Sequence, residues 1–155
     1  MADLPREIRG LMIPVANGRL LLPNATVAEV IAYTAPEHTE NAPEWMLGTF
    51  AWRGWRVPLV SFPQLSGAGR EGNSNQTKIA VLKALGGDPK LPFIAVLTQG
   101  FPRLVTVTPD SLVPTDDDGR RAIGVLAEVL VREDPATIPD LGAIETLLLE
   151  STALV

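Results

Sequence analysis

Few residues of this 155-residue chain could do chemistry, and their spacing argues against the reactions they suggest. Gly67-Ala68-Gly69-Arg70-Glu71-Gly72 matches the letters of the dinucleotide fingerprint G-x-G-x-x-G. That fingerprint works where the turn opens a helix whose N-terminus meets the pyrophosphate. Here Asn73-Ser74-Asn75-Gln76-Thr77 follows, a run of poor helix formers with no apolar stripe, so the hexad reads as loop. Asp116-Asp117-Asp118-Gly119 lacks the alternating ligands and closing glutamate of a calcium loop and reads as a solvated hairpin tip. The sole histidine, His38, sits between Glu37 and Glu40 in a proline-bounded stretch, and no G-x-S-x-G elbow offers it a serine. It reads as an exposed loop histidine. No pair of carboxylates is singled out for acid–base work, and no catalytic, cofactor-binding or metal-ligating set is assigned.

The segment from Asn24 to Phe62 is the one dense in unusual residues, with Trp45, Trp52, Trp55, Phe50 and Arg53. The aromatics could fill a small β barrel. They could equally form a binding surface, since tryptophan and arginine dominate interface energetics. Arg53 stands at a turn tip and is expected to be solvent-accessible; Trp52 or Trp55 could serve both roles.

Composition narrows the remaining classes. Cysteine is absent, which removes disulfides, thiolate metal sites and cysteine nucleophiles. With 13 Lys and Arg against 18 Asp and Glu, the net charge of −5 disfavours binding along a phosphate backbone. The first ten residues are polar and charged, unlike a signal peptide, and each apolar run is cut short before it could span a membrane. A cytoplasmic location is therefore expected, and the sequons at Asn24 and Asn75 carry no meaning there.

The elements that must position these residues are short strands. Leu11–Val15 and Arg19–Leu22 flank Asn17-Gly18, a strong hairpin turn, and Pro23 ends the second run. Asn24–Tyr33 reads as a helical turn running into a strand. Met46–Trp52 and Trp55–Val60 flank Arg53-Gly54, which sets Trp52 opposite Trp55 and Phe50 opposite Val57. Pro58 lacks a backbone donor and marks a sheet edge or a bulge in the second of these strands. Residues 63–77 read as a flexible loop. Lys78–Leu82, Phe93–Leu97, Arg103–Val107 and Ile123–Val131 are further strands, with a hairpin turn at Asp118-Gly119. Asp140 caps a closing helix with an apolar stripe of Leu141, Ile144, Leu147 and Leu148. The fold class is mainly β: a single domain over residues 1–155, made of two β lobes with one core and a C-terminal helix.

Three motifs in this order resemble the CheW family of chemotaxis adaptors. Val27-Ala28-Glu29-Val30 matches its V-x-E-V/I element, and Pro43-Glu44-Trp45-Met46-Leu47-Gly48 matches the approach to its central motif. Arg53-Gly54-Trp55-Arg56-Val57-Pro58-Leu59-Val60 then matches R-G-x-x-x-P followed by apolar residues. The likeness continues more weakly to the closing helix. It implies two interlocked SH3-like β barrels, no catalysis and no cofactor. It also implies two partners, the cytoplasmic tip of a methyl-accepting chemoreceptor and the regulatory domain of a CheA-type histidine kinase, with self-association in receptor arrays. Carried over by motif, Val27, Glu29 and Arg53 fall at receptor-groove positions, with Trp52 and Trp55 as neighbouring interface candidates. Gly48, Gly54 and Pro58 fall at structural positions. Glu29 and Arg53 are expected to pair.

The chain departs from the family pattern at Ala51-Trp52, usually Asn-Leu, and at Ser61, usually Asp. It is identified as a divergent member, of the ChpC/PilI type that serves type IV pilus and twitching systems. The alternative is a divergent scaffold of the same fold that binds only one of the two partners, or another pilus-system protein. A small β-barrel enzyme or ligand carrier would need a convergent polar pocket, for which the residues give no support.

Overall fold

The computed structural model describes residues 7–69, 74–115 and 122–151. Among the described residues, eleven strands form two curled sheets. The chain opens with the hairpin of β1 (Ile8–Val15) and β2 (Gly18–Pro23), joined by a turn in which Asn17 takes a φ of 64°. A single 3₁₀ turn at Asn24–Thr26 leads into β3 (Val27–Ala32), the order of elements expected for this stretch. Next come β4 (Met46–Trp52) and β5 (Trp55–Val60), α1 (Phe62–Ser66), β6 (Lys78–Lys83) and β7 (Phe93–Thr98). The chain ends with β8 (Arg103–Val107), β9 (Leu112–Pro114), β10 (Val125–Val131), β11 (Asp134–Pro139) and α2 (Leu141–Glu150).

The first sheet has the order β8-β1-β2-β11-β10-β9 and the second β3-β6-β7-β5-β4. The chain thus starts one sheet, builds the whole of the other, and returns to finish the first. This route interlocks the lobes. Alternation along the strands then sorts the side chains. Ile79 and Val81 join Phe50, Trp52, Val57, Leu59, Ala95 and Leu97 inside the second sheet. Ala80 and Leu82 point the other way, into a cluster with Ile13 and Leu20 of the first sheet and Leu141, Ile144 and Leu148 of α2. Met12, Leu21, Val107, Val129 and Val131 form a third cluster on the far face of the first sheet. The central strands of the second sheet are therefore apolar on both faces, and β6 reads as a nearly unbroken hydrophobic run.

Local chemistry sets several boundaries. Ser61 caps α1 by accepting from the Gln64 N–H at 3.4 Å, and Gly67 ends it in the left-handed region. Asp140 caps α2 by accepting from the Ala143 N–H at 3.0 Å. The loop read over residues 63–77 is corrected at its start, because Pro63 sits in the first turn of α1, where its missing N–H costs nothing. Pro58 is corrected too. It is buried in β5, which lies between β7 and β4 rather than at an edge. The ladder to β7 begins at Leu59, one residue beyond the missing donor, and the register shift falls across Met46 and Gly48 in β4.

The strand expected from Ile123 begins instead at Val125, after Gly124 turns the chain at a φ of 81°. Two further strands, β9 and β11, add to those expected from the sequence. The β10–β11 hairpin turns on Arg132 and Glu133, both at positive φ, without the Gly or Asn that announces such turns. The Asp116-Asp117-Asp118-Gly119 turn and residues 70–72 of the glycine-rich hexad lie outside the described residues.

Candidate functional site

Because β3 and β4 are the two ends of the second sheet, nothing in its backbone ladder joins them. Side chains do. The Trp52 indole Nε1–H of β4 donates to Oε1 of Glu29 on β3 at 2.8 Å, so the curled sheet closes on a hydrogen bond across its seam. Such a contact also covers an otherwise open edge. Glu29 reaches that position through a bulge. Val27 pairs with Leu82 and Glu29 with Val81, leaving Ala28 as the extra residue. Val27 packs toward the core between the sheets, and strict alternation from it would send Glu29 the same way. The extra residue turns Glu29 to the Trp52 side instead, the re-aiming for which bulges are used.

Arg53 follows Trp52 in the turn. Arg53 and Gly54 take φ values of 46° and 81°, the double positive turn that matches hairpin twist. From there the Arg53 Nη2 comes within 3.3 Å of the same Glu29 Oε1, and its guanidinium carbon stands 5.0 Å from the Trp52 ring centroid. Glu29 and Arg53, expected to pair, are thus brought together. The pair is open to water, with side-chain exposures of 38% for Glu29 and 66% for Arg53, so it contributes only about 0–1 kcal/mol and acts mainly by holding geometry.

The two flanking tryptophans have separate environments. Trp52 is 8% exposed and meets Phe93 edge-on at 4.8 Å, whereas Trp55, directly opposite it in the hairpin, is 46% exposed and lies 6.0 Å from the same ring. From the sequence, Phe93 is only the start of a strand. Its place beneath both indoles depends on the β6–β7 pairing and on the parallel contact of β7 with β5, neither of which leaves a local signal.

Gly48 holds the approach to this hairpin. Glu37 forms an isolated bridge with Thr49, and Glu37 also pairs with Arg56 of β5. Gly48 lies beneath that bridge at a φ of 142°, with no room for a side chain. His38, one residue on, is exposed. Among the described residues, no three His, Cys, Asp or Glu side chains converge as a metal site would require. The seam therefore presents a fixed cation, an exposed indole and a half-buried carboxylate. A cation set beside an exposed aromatic ring is the chemistry that dominates protein–protein interfaces.

A model of the CheW-like domain matches residues 9–147. The chain belongs to the CheW-like family. Among solved structures, the scaffolding protein TtCheW from Thermoanaerobacter tengcongensis superposes with a TM-score of 0.73 at 17% identity. That match covers 91% of this chain and 89% of TtCheW, and it supports the same CheW-like fold. No curated protein sequence matches. The expected mainly β architecture with a closing helix is the one observed. Among the described residues, no helix is long and apolar enough to cross a membrane.

Proposed function

We propose that this CheW-like chain is a non-enzymatic adaptor of the cytoplasm, coupling the tip of a methyl-accepting chemoreceptor to the regulatory domain of a CheA-type histidine kinase. The match of the CheW-like domain over residues 9–147 carries this reading. An adaptor of this kind works through differential affinity: receptor state biases kinase state only if the adaptor binds the two arrangements unequally. A stiff β scaffold with an exposed Arg53 and Trp55 suits that task, because little ordering remains to be done on binding. Glu29 and Arg53 are assigned to the receptor contact, with Trp55 beside them, whereas Val27, expected there by motif, packs against the core between the sheets and supports β3 from the other face. Trp52 serves that contact from the interior.

The purified protein, mixed separately with a receptor tip fragment and with the kinase regulatory domain from the same genome, should bind both. Binding to one alone would leave a single-partner scaffold, and binding to neither would sink the adaptor reading. The departures at Ala51-Trp52 and Ser61 favour a divergent chemosensory system, and we assign it to the control of type IV pili. Deleting the gene should then reduce twitching zones while leaving flagellar swimming unchanged.

A further inference from the structure

We propose that Trp52 is the positioning residue of the Arg53 site, and that the site it positions recognises a carboxylate on the partner. This deepens the receptor-coupling reading and rests on it. The observation is the sharing of one oxygen. Oε1 of Glu29 takes the Trp52 N–H at 2.8 Å from the interior side and the Arg53 Nη2 at 3.3 Å from the exposed turn.

Trp52 is well placed to act from within. Its ring is buried and wedged against Phe93, so its N–H has a fixed direction. Its face lies under the Arg53 guanidinium at 5.0 Å, a cation–π contact that steadies the cation without using any of its donors. Arg53 leaves the backbone from a residue at a φ of 46°, in a tight two-residue turn. Anchoring from both sides restrains a long side chain that would otherwise lose its freedom on binding.

The sharing also decides which charge the site offers. A guanidinium has five N–H donors in a planar fork suited to carboxylates. Glu29, already committed to the indole, does not cover that fork, and the Arg53 side chain remains two-thirds exposed. With Trp55 alongside, the surface suits an aspartate or glutamate of the partner set next to an apolar side chain. If the indole N–H were absent, Glu29 would be free to pair fully with Arg53 and to compete with that carboxylate. Trp52 therefore acts through Glu29 and touches no partner atom itself.

A double-mutant cycle separates this role from simple core packing. Trp52→Phe keeps a ring against Phe93 and removes the N–H. It should weaken binding of the receptor tip fragment about tenfold in the native background and by less than about twofold in a Glu29→Gln background. Equal losses in both backgrounds would mean that the ring only packs, and would overturn the positioning role. Glu29→Gln should in addition move the Trp52 indole resonance in a ¹⁵N-labelled sample while the Trp45 resonance stays in place. An unmoved Trp52 resonance would overturn the shared oxygen. On the partner side, binding lost in Arg53→Glu should be regained by reversing one acidic residue of the tip fragment. If no acidic substitution in the tip alters binding, the partner carboxylate is wrong. Failure of the native protein to bind any tip would overturn the coupling reading along with this one, whereas native binding with additive variants overturns this one alone.

Discussion

A Cβ built on Gly48 would stand 2.3 Å from the carbonyl oxygen of Glu37, closer than any real Cβ contact, and it would do so at a φ of 142°. The obstruction is backbone, which cannot swing aside as a side-chain end can. Gly54, at a φ of 81°, has nothing within 4 Å of its virtual Cβ. The two motif glycines therefore differ in kind. Gly54→Ala should cost about 1–2 kcal/mol, the strain of a left-handed residue alone. Gly48→Ala should cost about 3 kcal/mol or more, because strain and a lost bridge combine. Chemical denaturation of the two variants checks the order, and equal midpoints would show that the segment around Glu37 yields freely.

Trp52 and Trp55 face each other in one hairpin, yet truncating them should have opposite consequences. Trp52→Ala removes a buried ring and the seam hydrogen bond, and should cost about 3–5 kcal/mol of stability. Trp55→Ala leaves a ring pair with Phe93 unmade at a position 46% exposed, and should cost about 1 kcal/mol. Binding of the receptor tip should fall at least tenfold in the Trp55 variant, since exposed tryptophans dominate interfaces. Thermal melts and titrations on the same samples measure both effects. A Trp55 variant that binds as the native chain does would remove that residue from the interface.

The contrast between these tryptophans marks how far the sequence could be read. Alternation and the turn at Arg53-Gly54 place the two rings opposite each other, and local spacing says no more than that. Which ring is covered depends on Phe93, brought in by β7 through the parallel β5–β7 contact, far along the chain from either tryptophan. The Trp52–Glu29 bond was equally hidden, because it spans the open ends of a sheet whose curl is a tertiary property. The bulge at Ala28 could not be seen either, since a bulge needs the partner strand to define it. By contrast, both N-terminal hairpins and the capped closing helix rest on local turn and cap chemistry, and these were legible. The β10–β11 hairpin escaped for the complementary reason: Arg132 and Glu133 carry its turn against their own preference.

Arg53 is mostly exposed, and its partner Glu29 keeps the Trp52 N–H when the arginine is removed. Arg53→Glu should therefore leave the thermal midpoint nearly unchanged while receptor pull-down is lost. The new carboxylate would stand near Glu29, but like-charge repulsion at this exposure is worth less than about 1 kcal/mol. Raising the salt concentration should weaken the native complex, where it screens attraction, and should not weaken the variant's residual binding, where the new carboxylate meets like charge. If the variant unfolds, Arg53 is structural and its assignment to the receptor contact fails.

Glu145 is 4% exposed on α2, and its two oxygens accept the N–H groups of Leu85 and Gly86 at 2.9 and 2.8 Å. This clamp ties the β6–β7 connection to the closing helix, on the element that also supplies Leu141, Ile144 and Leu148 to the shared core. Sequence spacing sets Glu145 beside that apolar stripe without showing what it holds. Glu145→Ala leaves two donors without their charged acceptor and should cost about 2 kcal/mol, near 4–8 °C in Tm for a chain of this size. Glu145→Gln keeps one accepting oxygen but turns an amide NH₂ toward the second donor, so it should lose a large share of the same stability. Aspartate is one methylene too short to reach both amides and should resemble alanine. Hydrogen exchange gives the sharper measurement: the Gly86 amide should lose protection in all three variants while amides of β1 keep theirs. Unchanged protection at Gly86 would mean that water replaces the carboxylate at no cost, and that the helix is held by its apolar face alone.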